Sequence, residues 1–391
     1  MNSFTFYSPT KIYFGKDSVS DIAKHVSEFS PSKVLIVYGG GSVKRSGLLE
    51  KIEKALDDAK ISYDEFGGAK PNPTLSHAYE GIEFAKKINA DFVLAVGGGS
   101  AIDTAKAIAH GTADPDIDIW DGFLGKIKIA KTLPIGVILT IPAAGSESSD
   151  SAVLTNEETG QKRGLSTDFN RPKFAVLDPT LTFTLPDYQV SCGTTDIMMH
   201  TLDRYFNPLD NELTDAIAEA LLRTVIKAGL EAHENKENYE PMSELMWAGS
   251  LSHNDLTGLG GKKDFAVHQL GHELSAKFDL AHGASLATMW GSWARYVYDA
   301  KPSRFARYAR NVWGINEKDD VTAALSGIQA TESYFKSIGM PICFSDSIGV
   351  QSEEIVREMA DRCVRYGERT IGSFKVLNGD DVYKIYTAAN H

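Results

Sequence analysis

Through the first half of the chain, short uninterrupted apolar runs alternate with amphipathic stretches: residues 33–38 (KVLIVY), 46–59, 62–66, 76–88, 92–96 and 100–110. Runs such as VLIVY and FVLAV carry no polar alternation. That predicts strands of a parallel sheet covered on both faces, with the amphipathic stretches as the covering helices. Residues 138–145 (ILTIPAAG) and 173–179 (KFAVLDP) predict two further strands. From Pro186 onward strand-like runs stop and long helical patterns take over, as at 212–233 and 241–256. The pattern therefore predicts an α/β domain over residues 1–185 and an all-helical domain over 186–391. The boundary falls at 184–188 (TLPDY), where a proline closes the last extended segment.

Length agrees with two cores, since one hydrophobic core rarely grows beyond about 250–300 residues and this chain has 391. The balance of 52 acidic against 40 basic residues, a net charge of −12, repels phosphate backbones and anionic lipid alike. Nucleic acid and membrane surfaces are thus excluded as expected partners. Three scattered cysteines with no CxxC pair fit a reducing cytoplasm. The N-terminus has neither a basic leader nor a long apolar run, so a cytoplasmic protein is expected.

Two of the predicted strands end in the same tetrapeptide, GGGS, at Gly39, Gly40, Gly41, Ser42 and at Gly97, Gly98, Gly99, Ser100. The second runs directly into AIDTAKAIA. Backbone N–H groups in a glycine loop, together with a helix N-terminus, make a site for a phosphate or pyrophosphate. Neither loop matches GxGxxG or the P-loop, so a tight strand-to-helix turn is the bland alternative. Two such loops in one α/β half favour a dinucleotide. The first continues GGGSVKR, with no carboxylate for a ribose 2′-hydroxyl but with Lys44 and Arg45 close by. That tilts the expectation to NADP(H), NAD(H) being the alternative.

Asp196 and His200 stand four apart in a helical stretch, and His268 and His272 repeat that spacing. On one unbroken helix His282 would lie about 21 Å from His268, so the helix has to break between them. Asp279 and Gly283, in FDLAHG, supply the means, Asp279 by starting a turn and Gly283 by taking an unusual backbone conformation. One carboxylate with two or three imidazoles suits a catalytic divalent ion, Zn(II) or Fe(II). Spacing alone does not choose between His268 and His272. The HExxH protease motif is absent, because Glu273 has no histidine three residues after it. His25, His77, His110, His233, His253 and His391 read as ordinary core or surface residues.

These stretches carry a resemblance that covers nearly the whole chain. PTKIYFGKDS, YGGGSVKRSG, FVLAVGGGSAIDTAKAIA, LTIPAAGSESS, DIMMHTLDRYF, HQLGHELSAKFDLAHG and RTIGSFKVLNGDDVYKIY together resemble the iron-containing (group III) alcohol dehydrogenases, in their butanol dehydrogenase-like branch. The resemblance implies a dehydroquinate synthase-like fold: an N-terminal dinucleotide-binding α/β domain with a parallel sheet, then an all-α C-terminal metal-binding domain. It implies that Asp196, His200, His268 and His282 ligate one Fe(II) or Zn(II), and that His272 sits beside the nicotinamide and substrate. Gly97, Gly98, Gly99 and Ser100 would cradle the pyrophosphate with Asp103 nearby. Thr140 would face the adenine side and Lys162 the nicotinamide ribose. Gly39, Gly40, Gly41 and Ser42 fill the place where NAD-using relatives carry an aspartate. The family often reads ATGSE where this chain has Ala143-Ala144-Gly145-Ser146-Glu147, so one hydroxyl that could touch the cofactor is missing. A homodimer is implied too, paired through residues 3–7.

The expected activity is reversible hydride transfer between a nicotinamide and a short-chain primary alcohol or aldehyde, butanal-like, in a cleft between the domains, with His272 relaying the hydroxyl proton. Two other classes bear on the same residues. A dehydroquinate synthase-like lyase would need lysines and arginines around the ligands to hold a phosphorylated sugar acid, and the chain instead offers IMM, FAV and Trp290. A non-enzymatic metal-binding protein would not bind the cofactor.

Overall fold

Eight strands form, and six of them make one wholly parallel sheet. In the computed structural model, which describes residues 1–391, they are β1 (Lys11–Phe14), β2 (Val34–Tyr38), β3 (Tyr63–Phe66), β4 (Phe92–Gly97), β5 (Ile135–Leu139), β6 (Ser151–Asn156), β7 (Gln161–Ser166) and β8 (Phe174–Leu177). The sheet order is β1-β8-β5-β4-β2-β3, with β6 and β7 a separate antiparallel pair. Every residue of β2, β4, β5 and β8 is buried, as uninterrupted apolar runs require. The edge strand β3 reads YDEF and is half-buried, its acidic residues blunting an otherwise open edge.

Register brings the two glycine loops together. Tyr38 of β2 pairs with Val96 of β4, so the loops that follow them leave the sheet side by side at its C-terminal edge. From β2 the chain passes to β3 on one side, and beyond β4 it passes to β5 on the other. The gap between β2 and β4 is therefore a topological switch point, where α/β sheets bind ligands. The helices of this unit are α1 (Ile22–Ser27), α2 (Ser42–Arg45), α3 (Leu48–Asp58), α4 (Leu75–Lys87), α5 (Gly99–Ala113) and α6 (Ile119–Phe123).

Two details differ from the sequence pattern. The run at 138–145 is strand only to Leu139, because Pro142 has no N–H to give a ladder and the chain turns away as a loop. The hairpin of β6 and β7 has no apolar run to announce it. Its residues are mixed polar and half-buried, and its turn is closed by the Asn156 side chain, which accepts from the N–H groups of Glu158 and Thr159.

The second unit joins Met1–Phe6 to Pro186–His391, the first being Tyr7–Leu185. It is helical: α7 (Asp187–Tyr205), α8 (Glu212–Glu234), α9 (Tyr239–His253), α10 (Ala266–Phe278), α11 (His282–Val297), α12 (Pro302–Trp313), α13 (Asp320–Ser337), α14 (Glu353–Cys363) and α15 (Gly379–Ala389). Trp290 and Trp293 are fully buried in its core, and Phe206 stacks on Phe305 at 4.2 Å. Arg304 is also fully buried; it donates to both oxygens of Asp215 and to the carbonyl of Tyr205, which offsets the cost of desolvating its charge. Residues 3–7 form no strand within the chain; Asn2 instead donates its N–H to the carbonyl of Gly260. A strand is defined by its ladder, and this segment finds no ladder partner in its own chain.

Candidate metal and cofactor sites

Helix α7 is buried almost throughout, so Asp196 and His200 project from one face of it into protein. Helix α10 brings His268, and α11 starts at His282. The break between these two helices is made by Asp279, which takes a left-handed backbone at φ 52°. Gly283 does not share that conformation, contrary to the expectation from sequence. Glycine is required there for close approach: a Cβ would stand 2.1 Å from the carbonyl oxygen of Cys192 on α7.

One oxygen gathers the imidazoles. Asp196 Oδ1 lies 3.3 Å from His200 Nδ1, 3.6 Å from His282 Nε2 and 3.8 Å from His268 Nε2. Donor atoms about 2.1 Å from a tetrahedral ion sit about 3.4 Å from one another, the spacing expected of a shared cation. Asp196, His268 and His282 each present a ligand atom within 4.8 Å of the others. His200 abuts this set through Asp196, its ring centroid 4.6 Å from that of His268. Asp196 Oδ1, His200 Nδ1 and His268 Nε2 are all buried and make no hydrogen bond, a costly state for polar atoms that a bound cation would relieve. The donor set and the orphaned atoms fit a divalent ion.

Protonation is coupled to this arrangement. Burial, reinforced by the neighbouring histidines, holds His200 well below its usual range. Burial also works against a charge on His268, but Asp196 and Asp203 outweigh it and raise that group. A divalent ion would replace the proton on the nitrogen that faces Asp196.

Sequence reasoning missed the residues that aim these ligands. Asp203, three residues beyond His200 on α7, lies with Oδ2 2.5 Å from His268 Nδ1, which leaves Nε2 as the nitrogen that faces Asp196 and would offer its lone pair to an ion. Only the seven-residue spacing from Asp196 hinted at a shared face. Asp264 accepts from the N–H groups of Ala266, Ser373 and Phe374, and so ties the start of α10 to the C-terminal segment. Burial pushes its carboxyl up to about 6. His253, which no motif singles out, packs its ring 4.0 Å from that of His200. The buried Arg204 donates to the carbonyl of His200 and covers the ring of Phe265. His272 is half-buried one turn beyond His268, with its ring 5.4 Å from that of His282.

In the α/β unit, Gly98 caps α5, and no side chain bonds the cap. The 15-residue helix therefore presents free N–H groups and the positive end of its dipole at the loop. Gly97 has φ 155°, and a Cβ on Gly98 would meet Ile141 at 2.1 Å, so packing as well as any ligand demands these glycines. Gly40, by contrast, has nothing within 4 Å of a Cβ. Gly39 approaches the carbonyl of Ala69, and Gly41 approaches the Arg45 guanidinium. Ser100 lies in the first turn of α5. Thr140 donates its N–H to the carbonyl of Gly97 at 3.1 Å, which joins the ends of β4 and β5. Lys162 of β7 donates to Asn72 at 2.8 Å. Asp103 is half-buried with both oxygens engaged, by the Ser146 hydroxyl at 2.6 Å and the Val153 N–H at 2.9 Å, and so holds the 143–147 loop in place. Lys44 pairs with Glu65, 3.0 Å away on β3.

Comparison with known proteins bears on all of this. Residues 9–179 match the family described as iron-containing alcohol dehydrogenase, and residues 191–390 match the C-terminal domain of the Fe-containing alcohol dehydrogenase family. The chain is 43% identical over 389 residues to NADH-dependent butanol dehydrogenase A of Clostridium acetobutylicum, covering 99% of each. It is 36% identical to the NADPH-dependent aldehyde reductase YqhD of Escherichia coli, over the full length of both. The crystal structure of NADH-dependent butanol dehydrogenase A from Thermotoga maritima superposes with a TM-score of 0.96 at 36% identity, covering 100% of this chain and 99% of that one.

Proposed function

The chain belongs to the iron-containing alcohol dehydrogenase family, as an NAD(P)-dependent oxidoreductase of alcohols and aldehydes, and from that premise we propose that it interconverts short-chain primary alcohols and aldehydes, butanal-like, with NADPH preferred, as a cytoplasmic homodimer. Asp196, His200, His268 and His282 hold one Fe(II) or Zn(II), for which one carboxylate and three imidazoles suit either metal. The observation that carries the reading is the convergence of three imidazole nitrogens within 3.8 Å of Asp196 Oδ1. The ion supplies Lewis acidity to the substrate oxygen.

The chain's own groups do the rest. Asp203 keeps the Nε2 lone pair of His268 pointed inward. His272 donates a proton to the carbonyl oxygen as hydride arrives and recovers it in the reverse direction, work suited to an imidazole. Gly97, Gly98, Gly99 and Ser100, at the head of α5, bind the pyrophosphate, and Asp103 fixes the neighbouring loop. Thr140 lines the adenine side, and Lys162 binds the nicotinamide ribose. Gly39, Gly40, Gly41 and Ser42 admit the adenosine ribose, with Lys44 meeting its 2′-phosphate. The relatives' names divide on the cofactor, two NADH-dependent enzymes at 43% and 40% identity against the NADPH-dependent reductase at 36%. The loop GGGSVKR, without a carboxylate of its own, supports NADPH.

The test follows NADPH and NADH oxidation at equal concentrations with butanal, using metal-stripped protein before and after anaerobic return of Fe(II) or Zn(II). Activity restored by metal, with NADPH favoured, is expected. Full activity in stripped protein would overturn the metal reading, and equal rates with NADH would overturn the cofactor preference.

A further inference from the structure

Glu65 stands at the centre of a charged cluster beside the first glycine loop. Its Oε2 accepts from the Tyr38 hydroxyl at 2.8 Å and lies 3.0 Å from the Lys44 ammonium. Tyr38 is the last residue of β2, and Glu65 lies on β3 across from Ile36, so the sheet itself sets the carboxylate at the mouth of the loop. Lys44 reaches back over the Tyr38 ring, 5.2 Å from its centre. On the other side, the neighbouring Glu65 pushes the Glu53 carboxyl of α3 up to about 7, while the Glu65 carboxyl is held below its usual range. Tyr38 and Lys44 thus both face the Glu65 carboxylate while it neutralises the cation read as the 2′-phosphate's partner.

We propose that Glu65 sets the discrimination between NADPH and NADH by competing with the ribose 2′-phosphate for Lys44. The inference rests on Lys44 as the phosphate's partner, and it adds a residue that the glycine-loop motif does not contain. To meet the phosphate, Lys44 gives up Glu65, and the carboxylate left behind repels the incoming charge. NADH, with a 2′-hydroxyl, makes neither demand. The pair therefore moderates a preference that Lys44 alone would make strong.

Equilibrium titration by nicotinamide fluorescence, with NADPH and NADH separately and without substrate, tests this on the full-length protein. E65Q keeps the shape and the Tyr38 contact while removing the charge. It is expected to lower the Kd for NADPH about three- to fivefold and to leave that for NADH unchanged, the upper part of the range for one close charge pair at a surface. K44Q is expected to raise the NADPH Kd, and in K44Q/E65Q the gain from E65Q should vanish. If K44Q leaves NADPH binding unchanged, the reading of Lys44 fails and the inference with it. If K44Q weakens NADPH binding but E65Q shifts neither cofactor, or both alike, or weakens NADH only, Lys44 stands and the competition is overturned.

Discussion

At Asp203 a single carboxylate decides what a buried imidazole can do. With Nδ1 of His268 engaged 2.5 Å from Asp203, the ring has one orientation and one free nitrogen. Removing such an outer partner typically costs 10- to 100-fold in metal affinity (~1.4–2.7 kcal/mol). Asp203→Ala is therefore expected to purify with the fold intact but to lose its ion to a chelator at 10- to 100-fold lower concentration than the parent. Metal content after dialysis against graded chelator measures it, and equal retention would assign Asp203 a purely structural role. The candidate ligands stood out in the sequence because carboxylate and histidine spacing survives translation into a helix face, and the resemblance then picked the set. Asp203 and His253 were not, since one aspartate in DRYF and one histidine in a helix carry no local signal. What makes them neighbours of the candidate ligands is the crossing of α7 with α9 and α10, a property of packing. The choice of His268 over His272 likewise came from resemblance. The structure puts His268, and not His272, in the set around Asp196.

Elements show a similar division. Strands β2 and β4 and helices α4 and α5 were legible because uninterrupted apolar runs and amphipathic periods have one reading each. The hairpin β6–β7 was not, because QKRGLS has no face that is apolar throughout. Polar contacts hold that hairpin to α5 alongside its buried Ala152 and Leu154. His110 Nε2 lies 2.8 Å from Asn170 Oδ1, while the Asn170 amide donates to the carbonyls of Leu165 and Asp150. Burial drives His110 down to about 4 from 6.5. A depressed histidine is neutral in the folded state while the unfolded chain takes up a proton. Its contribution is thus fully present above pH 6.5 and is lost as pH falls toward 4, ~3 kcal/mol in all and ~2 kcal/mol of it between pH 7.5 and 5. His110→Gln, neutral throughout, should lose ~2 kcal/mol less than the parent over that interval in urea unfolding. Equal acid losses in the two proteins would show that His110 does not carry the effect.

For the molecule as a whole, the two proposed ligands divide between the two compact units. Every residue assigned to the ion belongs to Pro186–His391, on α7, α10 and α11, whereas every residue assigned to the dinucleotide belongs to Tyr7–Leu185. A ligand that binds only the folded form stabilises what it binds by RT ln(1 + [L]/Kd), about 2.7 kcal/mol at a hundredfold excess over Kd. Amide exchange reports that gain segment by segment, because each unit opens with its own free energy. Adding the ion to stripped protein should therefore slow exchange in α7, α10 and the first turns of α11, where the orphaned atoms of Asp196, His200 and His268 gain a partner. NADPH alone should slow exchange at 39–45 and at the head of α5. Gly40, whose surroundings are open, should show the larger change, since Gly98 is already packed against Ile141. If the ion protected the glycine loops as strongly as the helices while no cofactor was present, the assignment of separate ligands to separate units would fail. Protection confined to the expected helices would locate the ion by a measurement independent of turnover, and would hold even for a variant whose chemistry is dead.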